Sequence, residues 1–143
     1  MRSDPEVLAT DLRACLGPLL RRLRQAKVDD ELTPSQTAVL VRLYREGPST
    51  SSALAVAEGV RPQSMGAIVA ALVARGLVVR APDPADGRRV VLSLSDTGRD
   101  GVRGARRERS RRLTAALRDE LTADERALLA AAVPLLDRVS RRV

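Results

Sequence analysis

Residues 82–98 read PDPADGRRVVLSLSDTG. A polar, proline-stiffened loop gives way at Val90 to an alternating run, and Ser95-Asp96 then supply the residue types that start helices. Val90, Leu92 and Leu94 fall on one face and Arg89, Val91 and Ser93 on the other, the period of a half-buried strand. Just upstream, LVVRA (77–81) is a second strand-like run, and Asp86-Gly87 between the two has turn chemistry. A β-hairpin is predicted. Its loop, PDPADGRR, cannot serve a core because it is polar and held stiff by Pro82 and Pro84. Arg88 and Arg89 therefore point at solvent or at a partner.

Upstream of the hairpin the apolar residues recur at helical spacing. RPQSMGAIVAALVARG (61–76) opens with Pro62, closes with Gly76, and lines up Met65, Ile68, Val69, Leu72 and Val73. Its other face is Gln63, Ala67, Ala70 and Ala74, with Ser64 and Gly66 on the flanks. TSSALAVAEG (50–59) is a short helix closed by Gly59. In LTPSQTAVLVRLYREG (32–47), Thr33 is placed to cap, Pro34 suits the first helical position and Gln36 completes a capping box. PEVLATDLRACLGPLLRRLRQ (5–25) carries a leucine stripe, with Pro18 expected to kink it. The two short helices before the hairpin have the layout of a helix-turn-helix, or of an ordinary helical hairpin with a polar start. A hairpin directly after such a pair is a wing. With the first reading, Gln63 suits adenine, Arg61 suits guanine or phosphate, and Arg88 suits a narrow minor groove.

Downstream, SDTGRDGVRGARRERSRRLTAALRDE (95–120) reads as a long helix with little apolar face in its first half beyond Val102 and Ala105. Its RRERSRR run is either a solvated face or a phosphate contact. LTADERALLAAAVPLLDRVSRRV (121–143) starts with a capping box, Thr122 with Glu125, and presents Leu128, Leu129, Ala132, Val133, Leu135, Leu136 and Val139 on one broad side. A small winged helix cannot cover that side. It pairs either with a second copy of the chain or with the first helix of the same chain.

At 143 residues the chain suits a single folding unit. It has 25 basic and 18 acidic residues, a net charge of +7, and all its basic residues but Lys27 are arginine. That composition offers planar forks for phosphate and guanine, though a biased genome would also produce it. One cysteine excludes an internal disulfide framework and fits a reducing compartment. No apolar run reaches the length of a membrane span, and Asp4 and Glu6 precede any apolar stretch, unlike a secretory signal. The expectation is a cytoplasmic protein with no membrane partner. With no histidine and no metal-ligand spacing, no enzyme activity, catalytic residue, metal or cofactor is expected.

From Leu32 to about Arg99 the sequence resembles the MarR-type winged-helix transcription regulators. The resemblance implies a mainly α fold with a small β-hairpin in one domain, 1–143: a winged helix-turn-helix lobe over about 32–95 and dimerisation helices over about 7–25 and 97–142. In that family the wing carries an Asp-x-Arg pair whose arginine enters the minor groove while the aspartate holds the guanidinium. Asp86-Gly87-Arg88 matches it, and LSLSDTGR (92–99) stands where the family has a Leu-Thr-x-x-Gly-Arg ending. The implied contacts are Arg61, Gln63, Ser64 and Ala67 on the recognition helix, Asp86, Arg88 and Arg89 on the wing, and Ser49, Thr50 and Ser51 toward the DNA backbone. Leu8, Leu12, Leu16, Leu19, Leu129, Val133 and Leu136 would form the dimer.

The expected function is a homodimeric repressor on a pseudo-palindromic double-stranded operator, with a small-molecule effector as a further candidate partner. The alternative is a dimeric ligand- or protein-binding module that has lost sequence-specific DNA contact. The family's recognition helix often has Ser or Asn ahead of the proline and a larger polar residue further on, where this chain has Arg61, Gly66 and Ala67. Base readout is then sparse. Gly66 inside a helix costs about 1 kcal/mol relative to alanine, which marks either tolerance or close backbone approach. The family's ligands are often aromatic, and a chain with Tyr44 but no Phe or Trp predicts an aliphatic pocket or none. Some relatives sense oxidants through a first-helix cysteine. Cys15, inside a leucine stripe and with no histidine to lower its pKa, reads instead as a core filler.

Overall fold

The computed structural model describes residues 4–25 and 31–143, so Lys27 lies outside it. Among the described residues the order is α1 (Pro5–Arg24), α2 (Pro34–Glu46), α3 (Ser51–Glu58), α4 (Pro62–Ala74), β1 (Val78–Pro82), β2 (Val90–Leu94), α5 (Asp96–Glu120) and α6 (Ala123–Ser140). This is the mainly helical architecture with one antiparallel hairpin that the sequence predicts. The chain divides into two compact units: a lobe, Arg24–Arg107, and a terminal unit, Met1–Leu23 with Glu108–Val143.

The lobe is built on local signals that close over a core. Thr33 Oγ1 accepts the Gln36 N–H at 3.2 Å while Gln36 Oε1 accepts the Thr33 N–H at 3.0 Å, so α2 starts on a reciprocal capping box with Pro34 in its first turn. Thr50 caps α3 by accepting the Ala53 N–H at 3.2 Å. The turn between α3 and α4 needs a left-handed residue, and Gly59 supplies it at φ 65°. Val39, Leu40, Leu43, Leu54, Met65, Val69 and Leu72 then bury the inner faces of α2, α3 and α4 against Val78, Leu92 and Leu94 of the hairpin. At about 1.5–3 kcal/mol for each large side chain buried, these faces hold the lobe together.

The hairpin pairs Val78 with Leu94, Arg80 with Leu92 and Pro82 with Val90. Ser49 adds a bridge to Leu92, with N–H···O bonds of 2.9 and 2.7 Å in the two directions. Two details differ from the sequence expectation. Pro82 ends β1 instead of belonging to the loop, a place where an edge strand needs no further N–H. Val90 keeps the register of Leu92 and Leu94 but is 53% exposed, because the hairpin there has run past the core.

The lobe's last contact is the start of α5. Ser95 Oγ accepts the Gly98 N–H at 3.0 Å and its hydroxyl donates to the Gly76 carbonyl. A Cβ on Gly98 would collide with the Leu77 carbonyl. The glycine of LSLSDTGR is thus what lets α5 lie against the strand entry. Val102 and Ala105 bury the same side of the helix.

The terminal unit is the opposite case. Neither α1 nor α6 contains a buried residue. Thr122 and Glu125 do form the expected capping box, with bonds of 3.3 and 2.8 Å. Leu128, Leu129, Val133, Leu135, Leu136 and Val139 are all exposed. Cys15 is exposed as well, which corrects its reading as a core filler: α1 has no core in the single chain to fill. Part of the RRERSRR run is paired, since Glu108 accepts from Arg111 at 3.0 Å and from Arg112 at 2.8 Å. No helix among the described residues is long and apolar enough to cross a membrane.

Candidate nucleic-acid interface

Three segments of the lobe present polar side chains outward: the head of α3, the first turn of α4 and the hairpin loop. Arg61 is the N-cap of α4 and its side chain makes no capping bond. Arg61, Gln63, Ser64, Gly66 and Ala67 are all exposed, while Met65, Val69 and Leu72 fix the opposite face in the core. The geometry follows from helical periodicity: residues about four apart share a side, so burying 65, 69 and 72 turns 63, 67, 70 and 74 outward.

At the hairpin tip the two aspartates organise backbone. Asp83 Oδ1 accepts the Ala85 N–H at 2.9 Å and Asp86 Oδ1 accepts the Arg88 N–H at 3.1 Å. The Asp86 carbonyl accepts the Arg89 N–H at 3.0 Å, and the Arg89 carbonyl accepts the Asp83 N–H at 2.8 Å. Side-chain-to-backbone turns of this kind set the loop. Gly87 contributes no left-handed conformation, which among the described glycines is confined to Gly47, Gly59 and Gly76. The carboxylate of Asp86 holds the arginine's backbone in place of the guanidinium that the family resemblance implies. Arg88 and Arg89 make no ion pair among the described residues and stand exposed.

Of the candidates toward the DNA backbone, Ser49 has its backbone engaged by Leu92 and Thr50 has its hydroxyl oxygen engaged as the α3 cap, while Ser51 opens the helix half-buried. Sequence reasoning missed Arg80. It is exposed and makes no ion pair among the described residues, and its pairing with Leu92 puts it on the hairpin's inward face, one step beyond buried Val78. The signal was in LVVRA: a charge stands at the register position where a core strand would carry an apolar residue. By contrast Arg42 is tied to Glu58 at 2.6 Å and Glu46 at 2.9 Å, and Arg75 to Glu31 at 3.2 Å. The hydrogen bond to Glu58 raises the Arg42 pKa further. On the helical side of the lobe, the Arg103 guanidinium beside the Tyr44 hydroxyl lowers that tyrosine's pKa, with Arg106 adding to it.

A cavity of about 220 Å³ opens beside α4, lined by Pro34, Ala38, Val60, Met65 and Ile68 with Glu58 at its polar edge. Its lining contains no aromatic residue. Among the described residues no cluster of His, Cys, Asp or Glu is suited to a metal ion.

A helix pair with a glycine turn, a second helix facing outward and a hairpin following it define a winged helix-turn-helix, a DNA-binding class. The MarR family profile matches residues 30–89. The chain is 40% identical over 129 residues, 90% of each chain, to an HTH-type transcriptional regulator of Mycobacterium bovis. It is 34% identical over 96 residues to the HTH-type transcriptional repressor NicR of Pseudomonas putida, covering 62% of this chain and 61% of that one. A crystal structure of a transcriptional regulator protein from Pseudomonas aeruginosa superposes with a TM-score of 0.80 at 37% identity, covering 98% of each chain. The chain belongs to the MarR family, a family of transcriptional regulators.

Proposed function

We propose that this regulator is a homodimeric repressor that occupies a pseudo-palindromic duplex, each protomer placing the first turn of α4 in a major groove and the wing tip in the flanking minor groove. The observation that carries this reading is the pattern of arginine pairing. Arg61, Arg80, Arg88 and Arg89, without an ion pair among the described residues, stand on the α4 cap and the wing; Arg42 and Arg75 in the same lobe are bound by carboxylates, and Arg45, Arg99 and Arg107, also without an ion pair, lie on α2 and α5. Unpaired guanidinium forks are what phosphates and guanine edges need. In this reading the lobe reads DNA and the exposed leucine and valine faces of α1 and α6 join two copies, so that the half-sites lie about one helical turn apart. A repressor role is supported by the likeness to NicR, and the chain would act in the cytoplasm. Small-molecule release is the remaining part. The cavity against Met65 and Ile68 is smaller than the roughly 300–1,000 Å³ of drug-sized sites, so it suits a compact aliphatic effector able to shift α4.

The test is selection of bound duplexes from a random pool. Enrichment of an inverted repeat is expected, with a steep loss of affinity as salt rises. Four phosphate-competent arginines per protomer give a logarithmic salt slope of about −7 for the dimer. Arg88→Ala should weaken binding at least tenfold and flatten that slope by about 2 while leaving the thermal midpoint unchanged. A pool that yields no enriched sequence would support the second reading, a module that has lost sequence-specific contact. The exposed Gly66, Ala67, Ala70 and Ala74 side of α4 is the observation in its favour.

A further inference from the structure

We infer that beyond its first turn α4 reads the half-site through the C5-methyl groups of thymines, with Gly66 leaving room for the duplex to approach the helix backbone. The inference rests on α4 being the DNA-reading helix. Residues 65–74, MGAIVAALVA, contain no side-chain nitrogen or oxygen. Hydrogen-bonded base readout by the outward side chains of α4 and its cap is therefore confined to Arg61, Gln63 and Ser64. On the outward side the residues that follow are Ala67 and Ala70, both exposed. The thymine methyl is the apolar group on a base edge in the major groove, and alanine is among the side chains that meet it. A G·C pair at the same place would set the guanine O6 or the cytosine amino group against methyl groups, stripped of water and without a partner, so it is selected against. At about 1.5 Å per residue, Gln63 to Ala70 spans about 10 Å, the length of three base pairs.

Gly66 is an independent observation. A glycine inside a helix weakens it, and such a position usually has a packing reason. Here a Cβ at Gly66 would meet nothing within 4 Å, so no neighbour among the described residues requires the glycine. The unfilled space lies on the exposed side, where the base edges would come.

The experiment uses the full chain and the operator enriched from the random pool. Three inner A·T pairs per half-site are expected. Replacing their thymines with uracil, which removes only the methyl, should cost about fourfold in affinity per methyl and leave the salt slope unchanged. Gly66→Ala should fold, since its Cβ has space, and should bind the operator at least fivefold more weakly with no drop in thermal midpoint. Equal binding of thymine and uracil operators, G·C enrichment at the inner positions, or full operator affinity in Gly66→Ala overturns the inference while leaving the DNA-binding reading intact. A pool with no enriched sequence overturns the DNA-binding reading, and the inference falls with it.

Discussion

The lobe and the terminal unit are made from the same aliphatic residues and reach opposite ends. Every buried hydrophobic residue described, from Leu32 to Ala105, belongs to the lobe. The helices α1 and α6 bury none, although α6 alone carries four leucines and two valines. The difference lies in what surrounds them. The lobe brings three helices and a hairpin together around one set of inward faces, so each apolar stripe finds a partner inside the chain. The terminal helix α6 has a well-marked cap, and still neither its stripe nor that of α1 buries a residue fully. Caps decide where a helix begins; burial decides whether it is stable there. The contrast is a division of labour: the lobe closes its own core, and the terminal unit leaves its apolar faces open, which under the proposed function a second copy would cover.

The most severe way to break this contrast is to charge the open apolar faces. Leu129→Glu with Val133→Glu is expected to turn a dimer into a monomer in sedimentation experiments, weakening self-association by three orders of magnitude or more, because each apolar side chain lost from an interface is worth about 1.5–3 kcal/mol before the cost of burying a carboxylate. Operator affinity should fall with it, since two half-sites would then be bound independently. A wild-type chain that sediments as a monomer, or a double variant that remains dimeric, would remove the division of labour. The next effect is within the lobe. Leu40, fully buried, should cost about 2–5 kcal/mol on truncation to alanine in urea unfolding. Leu19, 40% exposed, should cost under about 1 kcal/mol at concentrations where the chain is monomeric.

How much of this was legible in the sequence follows the same line. Features set by neighbours along the chain were readable: the Thr33–Gln36 and Thr122–Glu125 boxes, the glycine that closes α3 and the alternation in VVLSL are each determined within a few residues. Features set by where a segment leaves the core were not. Val90 alternates correctly and is exposed because the hairpin outruns the lobe. Arg80 stands at an inward register position that is no longer covered. Cys15 sits in a stripe that looks like a core filler's setting and is open in the single chain. At the wing tip the sequence offered Asp86-Gly87 as a turn, but which of the two would set it is a matter of hydrogen bonding, and the aspartate does.

Two glycines extend the comparison to single atoms. Gly98→Ala drives a Cβ into the Leu77 carbonyl, which is backbone and cannot swing aside, so it should destabilise the lobe by about 1–3 kcal/mol. Gly66→Ala places the same methyl in open space and removes a helix-weakening residue, so it should stabilise by about 0.5–1 kcal/mol. Urea unfolding of the two variants should move in opposite directions from the wild type. A loss of stability in Gly66→Ala would mean that the glycine has a packing role inside the protein.

The smallest expected effect separates the units by pH. Hydrogen bonds from Arg111 and Arg112 hold the Glu108 carboxyl down at about 2, and the Thr122 backbone N–H lowers Glu125. Both carboxylates belong to the terminal unit. A carboxyl whose folded pKa lies below its unfolded value lends stability that is fully present above the unfolded pKa, near 4.5 for Glu108, and is lost as pH falls toward 2. With no histidine in the chain, no side chain has an ordinary pKa between 5 and 8. The thermal midpoint should therefore be flat from about pH 5.5 to 8 and fall below about pH 4.5. Glu108→Gln should lower the midpoint slightly at pH 7 and converge with the wild type at the acid end, where the wild-type carboxyl is itself protonated. Because the pair is on the surface, salt should shrink the difference. A gap between the two proteins that persists unchanged down to the lowest pH would show that Glu108 acts through packing rather than through its charge, and the acid limb would then have to come from other carboxylates, Glu125 among them.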